Sequence, residues 1–260
     1  MGGALASGTR SCQQHTMSGT PRALGLGPSM DVFVLTGAGI SAESGIATFR
    51  DANGLWENHR VEEVASPEGF EEDPAVVWRF YGQRRAQALT VAPNAAHRAL
   101  AALEARLGER LFLCTQNVDN LHEAAGSRQV VHMHGELFKT RCSACDRAPF
   151  EDTRHDFSGG LPRCPACGEL ERPHIVWFGE VPFEMHAIKR RVQRADVFVC
   201  IGSSGVVYPA AGLVGEMRYR RSMGAQVRTI YVGLEAPANA DQFDEVYEGK
   251  AGELLPALLA

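Results

Sequence analysis

The sequence predicts an α/β protein: a parallel sheet flanked by helices, with a small cysteine-rich module inserted. Three observations predict it. Short apolar, β-branched runs recur at 31–36, 111–115, 196–201 and 227–232, and each runs straight into a turn of small or polar residues. Stretches with helical apolar spacing lie between the first two. Residues 140–172 break the pattern, being rich in Cys, Pro, Gly and charge with no long apolar run.

The elements follow in order. Residues 1–30 are Gly- and Ser-rich, lack any acidic residue and are expected to form a disordered tail. The start has no apolar h-region, so no secretory signal is expected. The location expected is cytoplasmic; the alternative is mitochondrial, because an acid-free segment carrying Arg10 and Arg22 has the composition of a transit peptide. Asp31–Thr36 is the first buried strand, and Gly37-Ala38-Gly39 its turn. A helix is expected to start within Ala42–Phe49. Residues 74–90 form a helix opened by proline, and 94–108 a second. Leu111–Thr115 is a strand leading into Gln116-Asn117-Val118-Asp119, and Val130–Met133 is another. Two late strands enter Gly202-Ser203-Ser204 and Gly233.

At 260 residues the chain buries enough surface to fold without staples. A formal charge of −5 argues against stable nucleic-acid binding. No apolar run approaches the ~18 residues of a membrane-spanning helix, so no membrane partner is expected.

Cys142-x2-Cys145, 18 intervening residues, then Cys164-x2-Cys167 is a two-knuckle zinc pattern. Four thiolates complete a tetrahedron and leave no open position for water, so this zinc is structural. Cys114 and Cys200 lie inside apolar strands and read as small core residues. The Gly37–Gly39 turn sits where a Rossmann-type fold lets backbone approach a pyrophosphate. The other strand ends, Gln116–Asp119, Gly202–Ser204 and Gly233, are placed to share that dinucleotide crevice. A histidine beside it can serve as general base. His132 and His134 both qualify, and local spacing does not choose between them.

The motifs GAGISAESGIATFRD, PNAAHRAL, TQNVDNLH, HMHGE, the two CxxC pairs, VWFGE and GSSGVVYPA occur in sirtuin order. Over residues 31–260 the chain resembles the NAD-dependent protein deacylases of that family, and closely the bacterial acid-acyl-preferring (class III) members. The resemblance implies a Rossmann-like domain (31–55, 91–137 and 174–260) and a small domain, its helical part about 56–90 and its zinc module 138–173.

By the same resemblance, NAD is the co-substrate and one structural zinc is bound. His134, which precedes a glycine, is the catalytic base, with Asn117 beside it. Gly37, Ala38, Gly39, Ser41 and Glu43 surround NAD; Phe49 and Arg50 lie by the nicotinamide ribose and phosphates. Gln116, Asn117 and Asp119 hold ribose and carboxamide. Gly202, Ser203 and Ser204 meet phosphate or ribose, Gly233 lies by the adenosine, and Ala251 near adenine. Val176 and Phe178 bind the peptide, which adds as a strand between 176–179 and 205–208. Two departures stand out: Gly233 replaces the family's Asn, and Gly-Ser-Ser replaces Gly-Thr-Ser.

The chemistry implied is attack of the acyl-lysine carbonyl on the ribose as nicotinamide leaves. His134 then accepts a ribose hydroxyl proton, and the products are free lysine, nicotinamide and O-acyl-ADP-ribose. Tyr81 and Arg84, at i and i+3, share a helix face and suit a carboxylate-bearing acyl group: succinyl, malonyl or glutaryl. Ala65 resembles the small residue that widens the acyl pocket in that class. Acetyl-lysine also fits a roomy pocket. An NAD hydrolase or ADP-ribosyltransferase using the same cleft is the alternative. The expected partners are acylated-lysine proteins.

Overall fold

A computed structural model of the chain describes residues 22–47 and 59–260, with the backbone of the short strands at 15–16 and 55–56. In chain order the strands are β1 (His15–Thr16), β2 (Val32–Thr36), β3 (Leu55–Trp56), β4 (His59–Arg60), β5 (Leu111–Thr115), β6 (Val130–His132), β7 (Gly135–Cys142), β8 (Phe150–Glu151), β9 (Glu171–Ile175), β10 (Val197–Ile201), β11 (Arg228–Gly233) and β12 (Glu245–Glu248). The helices are α1 (Gly39–Ala42), α2 (Val61–Val64), α3 (Pro67–Glu72), α4 (Pro74–Ala88), α5 (Ala95–Leu107), α6 (Leu121–Ala124), α7 (Met185–Val192), α8 (Leu213–Ser222) and α9 (Ala251–Leu258).

The main sheet is parallel, in the order β1-β12-β11-β10-β2-β5-β6. Both its faces are covered, which is why its central strands carry continuous apolar runs. Alternate residues point to opposite faces. Val32, Val34, Leu111, Leu113, Val199 and Ile230 pack under α5 and α9. Phe33, Leu35, Cys114, Phe198, Cys200 and Tyr231 pack under α7 and α8. Phe33 stacks on Phe198 at 5.4 Å between ring centroids. Burial pushes the Cys200 thiol up to about 12, as befits a core residue rather than a nucleophile.

After β2 the chain builds β5 and β6 on one side, then returns to build β10, β11 and β12 on the other. The strand order therefore reverses between β2 and β10. Open α/β sheets bind ligands in the crevice outside the strand ends at such a point.

The smaller part has a three-stranded antiparallel sheet, β8-β7-β9, and the helices α2 to α4. Its core holds Val64, Trp78, Phe80, Tyr81, Leu137 and Trp177. Helix α4 is bolted to the sheet by two polar anchors. Trp78 Nε1 donates to the Glu171 carbonyl at 2.9 Å. Arg85, fully buried, pairs with Asp152 at 3.1 Å and donates to the carbonyls of Leu137, Lys139 and Arg154. A guanidinium that deep needs this many acceptors to offset its lost hydration.

Two expectations need correction. A helix is expected to start within Ala42–Phe49; among the described residues up to 47 the only helix is a single turn, Gly39–Ala42, beginning at once after the glycine turn. The expected tail is too long at its C-terminal end. Leu24 and Leu26 are buried with α5 and α9, and the Leu24 amide donates to the Leu258 carbonyl. Apolar burial outweighs the Gly-rich composition there. Among the described residues no helix is long and apolar enough to cross a membrane.

Candidate active site and metal centre

The crevice is built where two loops meet backbone to backbone. The Gly39 amide donates to the Gly202 carbonyl, and the Gly37 amide to the Ile201 carbonyl, both at 2.9 Å. Gly202 has φ of +62°, and a Cβ there would lie 2.5 Å from the Ile40 nitrogen. Only glycine satisfies both demands. The contact joins the ends of β2 and β10 at the reversal point.

Side chains from the end of β5 fill the crevice. Asn117 Nδ2 donates to the Gly37 carbonyl (3.2 Å) and to Ser41 Oγ (3.0 Å). Ser41 Oγ donates to Asp119 Oδ2 at 3.0 Å. Burial raises the Asp119 pKa, against the Leu121 amide and Ser41, which favour the carboxylate. Gln116 Nε2 donates to Ser203 Oγ at 3.0 Å. Glu43 turns to the start of α9, where its Oε1 accepts the Gly252 amide at 2.9 Å, next to Ala251. Ala38 and Ser204 line the same two loops. Phe49 and Arg50 lie outside the described residues.

The two histidines are separated by their partners. His132 Nδ1 donates to the Asn117 carbonyl at 3.1 Å, and its Nε2 lies 2.8 Å from Glu123. Burial alone would lower its pKa, but Glu123, with the Asn117 carbonyl and Glu136, outweighs burial and the net shift is upward. His134 Nδ1 donates to the Gln116 carbonyl at 3.0 Å. Its Nε2 has no hydrogen-bond partner among the described residues. Burial lowers its pKa, partly opposed by that carbonyl. A neutral imidazole with its Nδ1 proton engaged presents an Nε2 lone pair, the form a general base requires.

Residues 176–178 link His134 to the small part. The Val176 amide donates to the His134 carbonyl and the Phe178 amide to the Ala65 carbonyl, both at 2.9 Å. Trp177 Nε1 donates to Tyr81 Oη at 3.0 Å. Burial holds Tyr81 as a neutral phenol, its pKa pushed far up. Tyr81, Arg84 and Ala65 are all buried. Phe178, Val206 and Tyr208 are large apolar side chains left exposed on the two segments expected to flank a peptide.

The four cysteine sulfurs lie within 4.8 Å of one another. Cys142 and Cys167 are 3.5 Å apart, Cys145 and Cys164 3.7 Å. A tetrahedral zinc with bonds of ~2.3 Å needs sulfurs roughly 3.8 Å apart, so the set fits. The Ala166 amide helps bring the Cys164 pKa down to about 6, toward the thiolate that zinc binds. These four cysteines are positioned to bind a structural zinc ion.

A Sir2 family model matches residues 37–209, from the first glycine turn to the loop after β10. This chain belongs to the Sir2 family. An NAD-dependent protein deacylase of Pasteurella multocida is 51% identical, covering 88% of this chain and 96% of that one. One of Caulobacter vibrioides is 53% identical, over 88% and 94%. A crystal structure of a Sir2 homologue–NAD complex superposes with a TM-score of 0.80 at 41% identity, covering 89% of each chain.

The Sir2 crevice also uses residues that sequence reasoning did not single out. Asn94 caps α5 through Oδ1, while its Nδ2 donates to the Ile40 carbonyl (2.7 Å) and to Ser44 Oγ (3.1 Å). It thereby braces the loop from below. An Asn just before an apolar helix is a recognisable cap signal, but its second role is not visible in sequence. Behind Asn117, Thr36 Oγ1 donates to Thr115 Oγ1 (2.8 Å) and lies 3.0 Å from His122 Nε2. Burial drops the pKa of His122 to about 3 and of His97 to about 4, so both stay neutral at physiological pH.

Proposed function

We propose that this chain removes acyl groups from protein lysines with NAD as co-substrate, and that it favours succinyl, malonyl and glutaryl groups. The observation that carries the reading is His134: its Nδ1 is held by Gln116, leaving Nε2 as a base at the mouth of the crevice. NAD supplies an electrophilic ribose carbon with nicotinamide as its leaving group. The residues here do the rest. Ser41, Asn117 and Asp119 orient the nicotinamide end. Ser203, Ser204 and the Gly37–Gly39 backbone hold ribose and phosphates. His134 takes the ribose hydroxyl proton that frees an oxygen to attack the acyl carbon. The segments 176–179 and 205–208 flank the substrate strand and aim its lysine inward. Zinc stays structural.

Tyr81 and Arg84 support the acyl preference. They lie on one face of α4, with Ala65 in the same core and Trp177 fixing the phenol. A guanidinium fork grips a carboxylate through two bonds, and a neutral phenol adds a donor.

The test is matched-peptide kinetics with NAD, comparing succinyl-lysine with acetyl-lysine. A higher kcat/KM for succinyl is expected. If acetyl wins, the pair does not recognise a carboxylate and the enzyme is a plain deacetylase. If nicotinamide is released equally with and without acylated peptide, NAD hydrolysis or ADP-ribosyl transfer replaces deacylation.

A further inference from the structure

We propose that Tyr231 is a positioning residue of the nucleotide crevice, and that Gly233 is glycine because the Tyr231 side chain occupies its space. The proposal rests on the NAD reading of that crevice.

Tyr231 and Gly233 stand two apart on β11, so they face the same side of the sheet. Tyr231 is 4% exposed, its ring 5.6 Å from that of Phe243. Its hydroxyl donates to the Ser203 carbonyl at 3.1 Å. A Cβ on Gly233 would lie 2.4 Å from that hydroxyl oxygen and 2.8 Å from Cζ. Gly233 is paired with Glu248 as ordinary strand and has no left-handed φ. Space, not backbone conformation, therefore demands glycine there.

The hydroxyl also completes a clamp. The Val232 carbonyl accepts the Gly202 amide at 2.8 Å, and Tyr231 holds the next carbonyl along, that of Ser203. Two consecutive residues of β11 thus fix the loop that closes β10. Ser203 is also held from the β5 side. Gln116 Nε2 donates to Ser203 Oγ, and the Gln116 carbonyl accepts from His134 Nδ1, both at 3.0 Å. Tyr231 touches neither reacting atoms nor His134. It acts by setting where Ser203 presents its hydroxyl.

The zinc-loaded Tyr231→Phe enzyme removes only the hydroxyl. The KM for NAD should rise about threefold to tenfold, the value of one neutral hydrogen bond. The KM for acyl-peptide and kcat should stay within about twofold. Calorimetric titration with ADP-ribose, which needs no turnover, should show the same loss of affinity. Gly233→Ala should weaken ADP-ribose binding in the parent enzyme and cost nothing further in a Tyr231→Leu background. Unchanged ADP-ribose affinity in Tyr231→Phe overturns the proposal. So do equal costs of Gly233→Ala in both backgrounds, or a uniform fall in every kinetic constant together with the melting temperature. Absence of NAD-dependent turnover in the parent enzyme is a different failure, that of the deacylase reading, and the ADP-ribose titrations still decide the Tyr231 question.

Discussion

His134 donates its Nδ1 proton to the carbonyl of Gln116, 3.0 Å away across the gap between the end of β5 and the turn before β7. His132, two residues earlier, makes the same kind of bond to Asn117 but spends its other nitrogen on Glu123. One spacing thus yields two histidines of different kinds.

His134→Ala should retain NAD binding and lose deacylation by about 10²- to 10⁴-fold, the usual worth of a positioned general base. His132→Asn should lose less than about tenfold. Burial lowers the His134 pKa, so the free base persists below the ordinary histidine value. The acid limb of the rate profile should therefore fall below about pH 6.5. Steady-state rates from pH 5 to 8 check both statements.

Arg84→Met keeps much of the apolar stem and removes the fork. Succinyl-peptide kcat/KM should drop about 10- to 100-fold, the range for a charged hydrogen-bonded contact. Acetyl-peptide turnover should change less than about threefold. Parallel losses on both peptides would make Arg84 a packing residue.

Cys142→Ser, or prolonged treatment with a strong chelator, should unfold or precipitate the protein, because zinc binding at a four-thiolate site is part of folding. Metal content and melting temperature measured on the same sample decide it. A stable, fully active, zinc-free enzyme would refute the structural role.

Arg85→Met strips Asp152 of its buried partner and should cost about 3 kcal/mol. For a chain this size that is roughly 6–12 °C in Tm. Burial alone would raise the Asp152 pKa, but hydrogen bonds from Arg154 and Thr140 with the charge of Arg85 hold it well below the usual carboxylate range. A depressed folded pKa adds stability above the unfolded value of about 3.9, lost as pH falls further. Acid melts between pH 5 and 2 should show the parent losing more stability than Arg85→Met.

Much of the fold is legible in the sequence where burial is two-sided. β2 and β10 are buried at every position, so VFVLT and VFVCI announce themselves without alternation. β12, EVYE, buries only its middle and carries no comparable run. α8 buries Leu213, Val214 and Met217 in its first half and ends in polar residues, so its helical period is short. β7 and β9 pair across a module whose sequence is dominated by its cysteines. The metal ligands were visible because their spacing is local. Local spacing does not choose between His132 and His134, because the difference depends on Glu123 and on carbonyls from another strand end; only the family resemblance points to His134. Tyr231 was hidden for the same reason, since its role follows from a neighbour two residues on and a loop 28 positions away.

Arg84 and Arg85 are consecutive on α4, yet one shares a face with Tyr81 while the other is sunk into the sheet that carries the cysteine knuckles. A helix held this way is a single rigid part with two ends of business. Tyr81 and Arg84 thus stand on a helix whose next residue, Arg85, is tied to the strand that ends in Cys142. Loss of the metal would therefore cost the fold and the site together, not the site alone.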